Sequence, residues 1–221
     1  PSDPSHITSA VDTLTLTGYA QADVTRYQTG IAERHDETVR LTEEFRVAYA
    51  ESSALRDAVA DLVKTGKELT RDRYEAGLPF TPGMQYSRRD AARIVGWPRA
   101  FASTIYGYKT DETTGVCAIF VTLHKSSEVD ASTAYEDQLL DPSTMRWFSR
   151  SRRTLESKEV SLVVDGLVQV HVFVKKDDAE GSDHYYLGPA TATEAEETTM
   201  PDGDGRPLSV VTMLLKFDQP I

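Results

Sequence analysis

Between Tyr135 and Arg153 the chain reads YEDQLLDPSTMRWFSRSRR, and Arg146, Arg150, Arg152 and Arg153 crowd its last eight residues around Trp147 and Phe148. A guanidinium can grip phosphate through two parallel N–H donors, and an exposed indole can stack on a base. Arginines interleaved with an aromatic pair and with Ser149 and Ser151 therefore read as a nucleic-acid contact, to which Tyr135 and Asp137 add a ring and an acceptor for a base edge. The competing reading puts Trp147 or Phe148 in the core and pairs the arginines with Asp137, Asp141 or Glu156. A second constellation, Asp141 before Pro142 with Glu156-Ser157-Lys158 further on, has the residue types of a nuclease that holds Mg²⁺ on two carboxylates beside a lysine. Its spacing is loose, so solvated surface charge is the favoured reading.

Other chemistries lack their residues. There is no phosphate-binding loop, GxGxxG, HExxH or GxSxG. Cys117 is the single cysteine, which rules out an intrachain disulfide and a thiolate metal cluster. The five histidines are scattered, and His171, alternating with Val170 and Val172, is expected to face solvent from a strand. No cofactor and no catalytic residue is expected within this chain. The net charge of −11 argues against binding nucleic acid over the whole surface, and so favours a local basic footprint on an acidic body.

The elements that would position these residues divide near residue 80. Residues 1–80 read as a helical arm or connector. VDTLTLTGY is expected to be a short strand, and the stretch from Ala22 to Glu75 helical, because Leu41, Phe45, Ala48, Leu55, Val59 and Leu62 recur every three or four residues. Ser52 and Ser53 are expected to break it in two, with Gly66 and Gly77 as stops. GLPFTPGMQY marks a boundary, after which Ser87 and Asp90 form a capping box for a short helix ended by Gly96 and Pro98.

From there the period becomes two. Ser103–Lys109, Gly115–Lys125, Val160–Gly166, Leu167–Lys176, His184–Ala190 and Ser209–Phe217 are expected as strands, with Asp165-Gly166 as a hairpin turn. The fold class is thus α+β: a helical N-terminal arm, then a strongly curved mixed sheet or small β-barrel over 81–221, by analogy like PUA and SRA domains, with one short helix. No apolar run reaches the length of a membrane span and no secretory signal opens the chain, so a cytoplasmic location and no membrane partner are expected. The missing initiator Met points to an internal starting point in a larger protein.

The segments YSRRDAARIVGW (Tyr86–Trp97), GYKTDETTGVCAIFVTLHK (Gly107–Lys125), STAYEDQLLDPSTMRWFSRSRRT (Ser132–Thr154), VHVFVKK (Val170–Lys176) and HYYLGPA (His184–Ala190) resemble, in this order, a bacterial domain of unknown function. That domain lies at the C-terminal end of DEAD/DEAH-type superfamily-2 helicases and beside HNH-type nucleases. FRVAYAESSALRDAVADLVK (Phe45–Lys64) looks like the connector upstream of it. The family's Trp-x-Ser-x pattern stands here as Trp147-Phe148-Ser149-Arg150, with Phe148 or Arg150 where Gln is common. The resemblance implies a part in DNA metabolism or defence against foreign DNA, as a module guiding a separate helicase or nuclease domain of the parent protein. The expected function is a non-catalytic DNA-binding module that reads a modified base in a pocket walled by Tyr106, Tyr108, Tyr135 and Trp147. The alternatives are a protein-interaction module bracing a helicase core and the Mg²⁺ nuclease.

Overall fold

The computed structural model describes residues 4–17, 19, 21–36, 38–75, 77–124, 137–201 and 204–221. The chain forms two compact units, one of residues 1–79 with 92–100, the other of residues 80–91 with 101–221.

The first unit opens with α1 (Pro4–Leu14) and α2 (Gln21–Tyr27). The strand expected at VDTLTLTGY is instead the last turn of α1, Val11–Leu14, followed by a turn through Thr17. Thr13 and Thr15 turn their hydroxyls back to the carbonyls of Ser9 and Val11, which lets β-branched residues sit in a helical turn. The helix expected from Ala22 is interrupted by a hairpin of β1 (Ala32–His35) and β2 (Thr38–Leu41), with Asp36 turning at a positive φ of 53°. Thr42 then caps α3 (Glu43–Glu51), and Ser52 caps α4 (Ser53–Arg73), accepting from the Leu55 amide at 3.1 Å, so the expected break at the serine pair stands. Gly66 does not stop α4; the helix runs through it to a cap at Tyr74.

The second unit is a mixed sheet. Its strands are β3 (Gln85–Tyr86), β4 (Tyr108–Asp111), β5 (Val116–His124), β6 (Gln138–Asp141), β7 (Thr144–Phe148), β8 (Gln169–Asp177), β9 (His184–Pro201) and β10 (Pro207–Phe217). Their order is β4-β5-β8-β9-β10-β7-β6, with β3 on β9 and only the β5–β8 pair parallel. The sheet stays open, between two four-residue edge strands, and does not close into the barrel that was the other expected form. The helices α5 (Arg88–Ile94) and α6 (Arg99–Ala102) follow β3. Ser87 accepts from the Asp90 amide and bonds its carboxylate at 2.7 Å, the expected capping box. Gly96, at φ 71°, ends α5 with the Trp97 amide donating back to Ala92.

One expected strand is a helix: Val160–Gly166 lies in α7 (Lys158–Val164) and its C-terminal turn. Val160, Leu162 and Val163 bury against one sheet face, and the supposed hairpin turn is the helix end, where Gly166 at φ 67° lets the Leu167 amide reach the Leu162 carbonyl at 2.9 Å. Strand β4 begins only at Tyr108, so most of the expected Ser103–Lys109 strand is turn. Under α7 lies the main core, where Cys117, Ile119, Val170, Val172, Met145, Trp147, Met213 and Leu215 meet. The opposite face holds an aromatic cluster of Phe80, Tyr86, Phe120, Phe173 and Tyr186, with Phe120 stacked on Phe173 at 4.6 Å. Covered on both faces, β8 reads as a nearly unbroken buried run.

Candidate nucleic-acid interface

The arginine-rich segment is built on the hairpin of β6 and β7. Asp141 turns it by accepting from the Ser143 amide at 2.7 Å, and β7 lies along β10 with Trp147 opposite Met213. Alternation sends Met145 and Trp147 into the core and Arg146 to the other face, where it is exposed. Beyond β7 the chain stays tied to β10. The Ser149 amide donates to the Val211 carbonyl at 2.8 Å, the Ser149 hydroxyl accepts from the Val211 amide at 2.9 Å, and the Arg152 amide donates to Ser209 at 2.6 Å. Arg152 holds a left-handed backbone, φ 63°, and its side chain is exposed. The arginines therefore leave a backbone tied to β10 rather than a free loop.

Arg150 and Arg153 converge on Glu159, in the first turn of α7. Arg150 Nη2 lies 2.8 Å from both carboxylate oxygens, Arg153 Nε donates to one of them, and the Tyr108 hydroxyl donates to the same oxygen at 2.8 Å. The Arg150 guanidinium also lies over the Tyr108 ring, 4.6 Å from its centroid. Burial alone would raise the pKa of Glu159, but donors from Arg153, Tyr108 and Arg150 outweigh it and hold the carboxyl below its ordinary value. Burial, then Glu159, push the Tyr108 hydroxyl well up, so it stays a neutral donor. Burial sends the Cys117 thiol up to about 12, which makes it an inert core residue.

Removing Glu159 strands two cations and a phenol in a half-buried site. Glu159→Ala is expected to cost about 2–3 kcal/mol of stability, read as a lowered urea midpoint with an unchanged denaturant slope.

The expected site residues thus separate. Trp147, expected as an exposed stacking platform, is 3% exposed and packs edge-on against Tyr108, which is itself buried. Neither presents a face to a base. Ser149 is fully buried with its hydroxyl spent on β10, and Asp137 accepts from the Phe148 amide at 3.0 Å. Tyr106 is 68% exposed, joined by a β-bridge to Tyr108. Tyr135 lies outside the described residues. His171, expected in solvent, is buried with Nδ1 2.8 Å from the Tyr186 hydroxyl, because β8 is covered on both faces.

The nuclease constellation is not assembled: Asp141 shapes a turn, Glu156 is exposed, and Lys158 pairs with Glu112 at 2.6 Å. Among the described residues no group of three or more His, Cys, Asp or Glu is placed to hold a metal. The residue that sequence reasoning passed over is Glu159. It would have stood out had Ser157 been taken as the start of a helix, which puts a carboxylate in the first turn.

No described helix is long and apolar enough to cross a membrane. No curated protein matches the chain. Among solved structures it is similar to an MspJI restriction endonuclease in complex with a 27-mer oligonucleotide, at 16% identity and a TM-score of 0.37 over 46% of this chain and 28% of that one. It is similar to the DNA modification-dependent restriction endonuclease AspBHI at 15% identity and a TM-score of 0.40, over 59% of this chain and 68% of that one. A third likeness, at 12% identity and a TM-score of 0.39, is to the sulfur binding domain and SRA domain of ScoMcrA complexed with phosphorothioated DNA, over 91% of this chain and 65% of that one. The chain thus spans less than a third of the first of these proteins. Residues 1–75 match the family model described as Domain of unknown function (DUF8090). Residues 80–221, more than half of the chain, match the model described as Domain of unknown function (DUF3427), and the chain belongs to that family.

Proposed function

We propose that the sheet unit is a non-catalytic DNA-binding module that holds the phosphate backbone through Arg146, Arg150, Arg152 and Arg153. One observation carries the reading. Arg150 and Arg153 share a single carboxylate, Glu159, on the sheet face that carries α7, while Arg146, on the opposite face of β7, and Arg152 are exposed with no ion pair among the described residues. Four arginines against one paired carboxylate within eight residues is a local excess of positive charge on a chain whose net charge is −11. Phosphate contacts of this kind fix position and supply salt-dependent affinity without reading sequence.

Glu159 does not cancel the footprint. It holds Arg150 and Arg153 in a set orientation, which lowers the entropy lost when they meet a ligand. Base contact, including recognition of a modified base, falls to Tyr106, whose ring is exposed and whose backbone is bridged to that of Tyr108, the residue beneath Arg150. Helicase or nuclease chemistry belongs to other domains of a parent protein that this module guides.

The test is fluorescence anisotropy with the full chain at low salt, on plain and cytosine-modified duplexes. Wild type is expected to bind, and Arg146→Ala/Arg152→Ala to bind about tenfold or more weakly. Tyr106→Ala is expected to remove any preference for the modified duplex and leave binding to the plain one unchanged. A wild-type chain that binds neither duplex overturns the proposal.

A further inference from the structure

Helix α4 spans 21 residues, and none of them is buried. Its apolar residues are not scattered. Leu55, Val59, Leu62, Gly66, Leu69 and Arg73 follow one another in steps of four and three, the spacing of a coiled-coil seam. Leu55 and Val59 are half covered, but Leu62 is 71% exposed, Val63 beside it 52% and Leu69 39%. The seam from Val59 to Arg73 is about 22 Å long. At Gly66 a Cβ would meet nothing within 4 Å, so the seam has an open notch midway along it.

The charges indicate what fits this face. Ser53–Val63 carries Asp57 and Asp61 against Arg56, a net charge of −1, whereas Lys64–Arg73 carries four cations against Glu68 and Asp72, a net charge of +2. A second α4 laid antiparallel sets each acidic half beside a basic half and opposes the two helix dipoles. In that register Leu62 enters the Gly66 notch of the second copy and Val59 meets its Leu69. The positions flanking the seam, Arg56, Ala58, Val63, Thr65, Thr70 and Asp72, then bring no like charges together. A parallel pair would instead stack the basic halves on each other.

We infer that α4 is a self-association surface, through which two copies of this chain pair antiparallel about a two-fold axis near Thr65. The contact is isologous and closes at two copies, so it does not propagate into a filament. A seam of four helical turns gives a weak, concentration-dependent dimer. Two DNA-binding units joined in this way would bind adjacent stretches of one duplex with added avidity. The pairing itself does not depend on that function.

Sedimentation equilibrium of the full chain, without DNA, tests it from micromolar to sub-millimolar concentration. The wild type is expected to rise from one chain mass toward two. Leu62→Lys/Leu69→Lys, which alters only exposed positions and so keeps the same circular dichroism and melting temperature, is expected to stay at one. Thr65→Cys is expected to oxidise to a covalent dimer, since the two copies of that residue meet near the axis and Cys117 is buried. A wild type that remains monomeric throughout, as it would if the seam received a helix from another protein, overturns the proposal. So does a dimer that survives the two lysines, and a dimer that Thr65→Cys fails to cross-link refutes the antiparallel arrangement.

Discussion

Between pH 6.5 and pH 4 the sheet unit is expected to lose several kcal/mol of stability, through two buried histidines that take no part in the proposed DNA contact. His171 and His184 are both buried, and burial lowers the pKa of each from 6.5 to about 4; for His184 the nearby charges of Arg88 and Lys175 add to it. The folded pKa lies below the unfolded one, so as pH falls the unfolded chain takes up protons first. Stability is therefore unaffected above pH 6.5, declines between 6.5 and 4, and levels off below. Each histidine contributes about 3 kcal/mol of loss by pH 4. Glu159 acts in the same direction at lower pH, because its depressed pKa makes its ion pairs fail as pH drops below the ordinary carboxylate range. Urea unfolding at a series of pH values reads the slope directly. His184→Gln is expected to remove about half of it between pH 6.5 and 4, and an unchanged slope in that variant would show that His184 is not held neutral.

Trp147→Ala is expected to destabilise the unit by about 3–5 kcal/mol, the range for emptying an aromatic site in a packed core. The indole lies under α7 among Met145, Met213 and the Tyr108 ring, whose centroid is 4.9 Å away. Trp147→Phe keeps much of the packing and is expected to cost less, with DNA affinity of the folded protein unchanged. The opposite pattern, normal stability with lost DNA binding in Trp147→Ala, would return the indole to the surface role that its type and neighbours first indicated.

The strands β5, β8 and β10 and the first seven residues of β9 were legible because of their alternating or continuous runs of Val, Ile, Phe and Tyr, whereas the polar run of β9 from Thr191 to Pro201 was not. Nor was Val160–Gly166. A short run such as Val-Ser-Leu-Val-Val suits a strand or a buried helix equally well by periodicity, and here the burial of Val160, Leu162 and Val163 on one helix face and the left-handed Gly166 decide for the helix. That single reversal hid the organising residue of the site, since Glu159 acquires its place in a helical first turn only once α7 is recognised. Likewise β7 was read for its chemistry instead of its alternation. Met145 and Trp147 point inward on the same parity, which leaves Arg146 outward, as the exposed position of the strand requires. The arginines as a class were visible in the sequence; their pairing was not, because nothing local links Arg150 to a carboxylate nine residues on.

The central claim is that the arginines in and just after β7 neutralise backbone phosphates, and the salt dependence of duplex affinity tests it most directly. Each phosphate contact contributes a slope of about −0.9 to log K against log salt. Wild type is predicted to give a slope of about −3 to −4, and Arg146→Ala/Arg152→Ala one shallower by about two. Equal slopes for wild type and variant, or wild-type binding that does not respond to salt, would contradict the account.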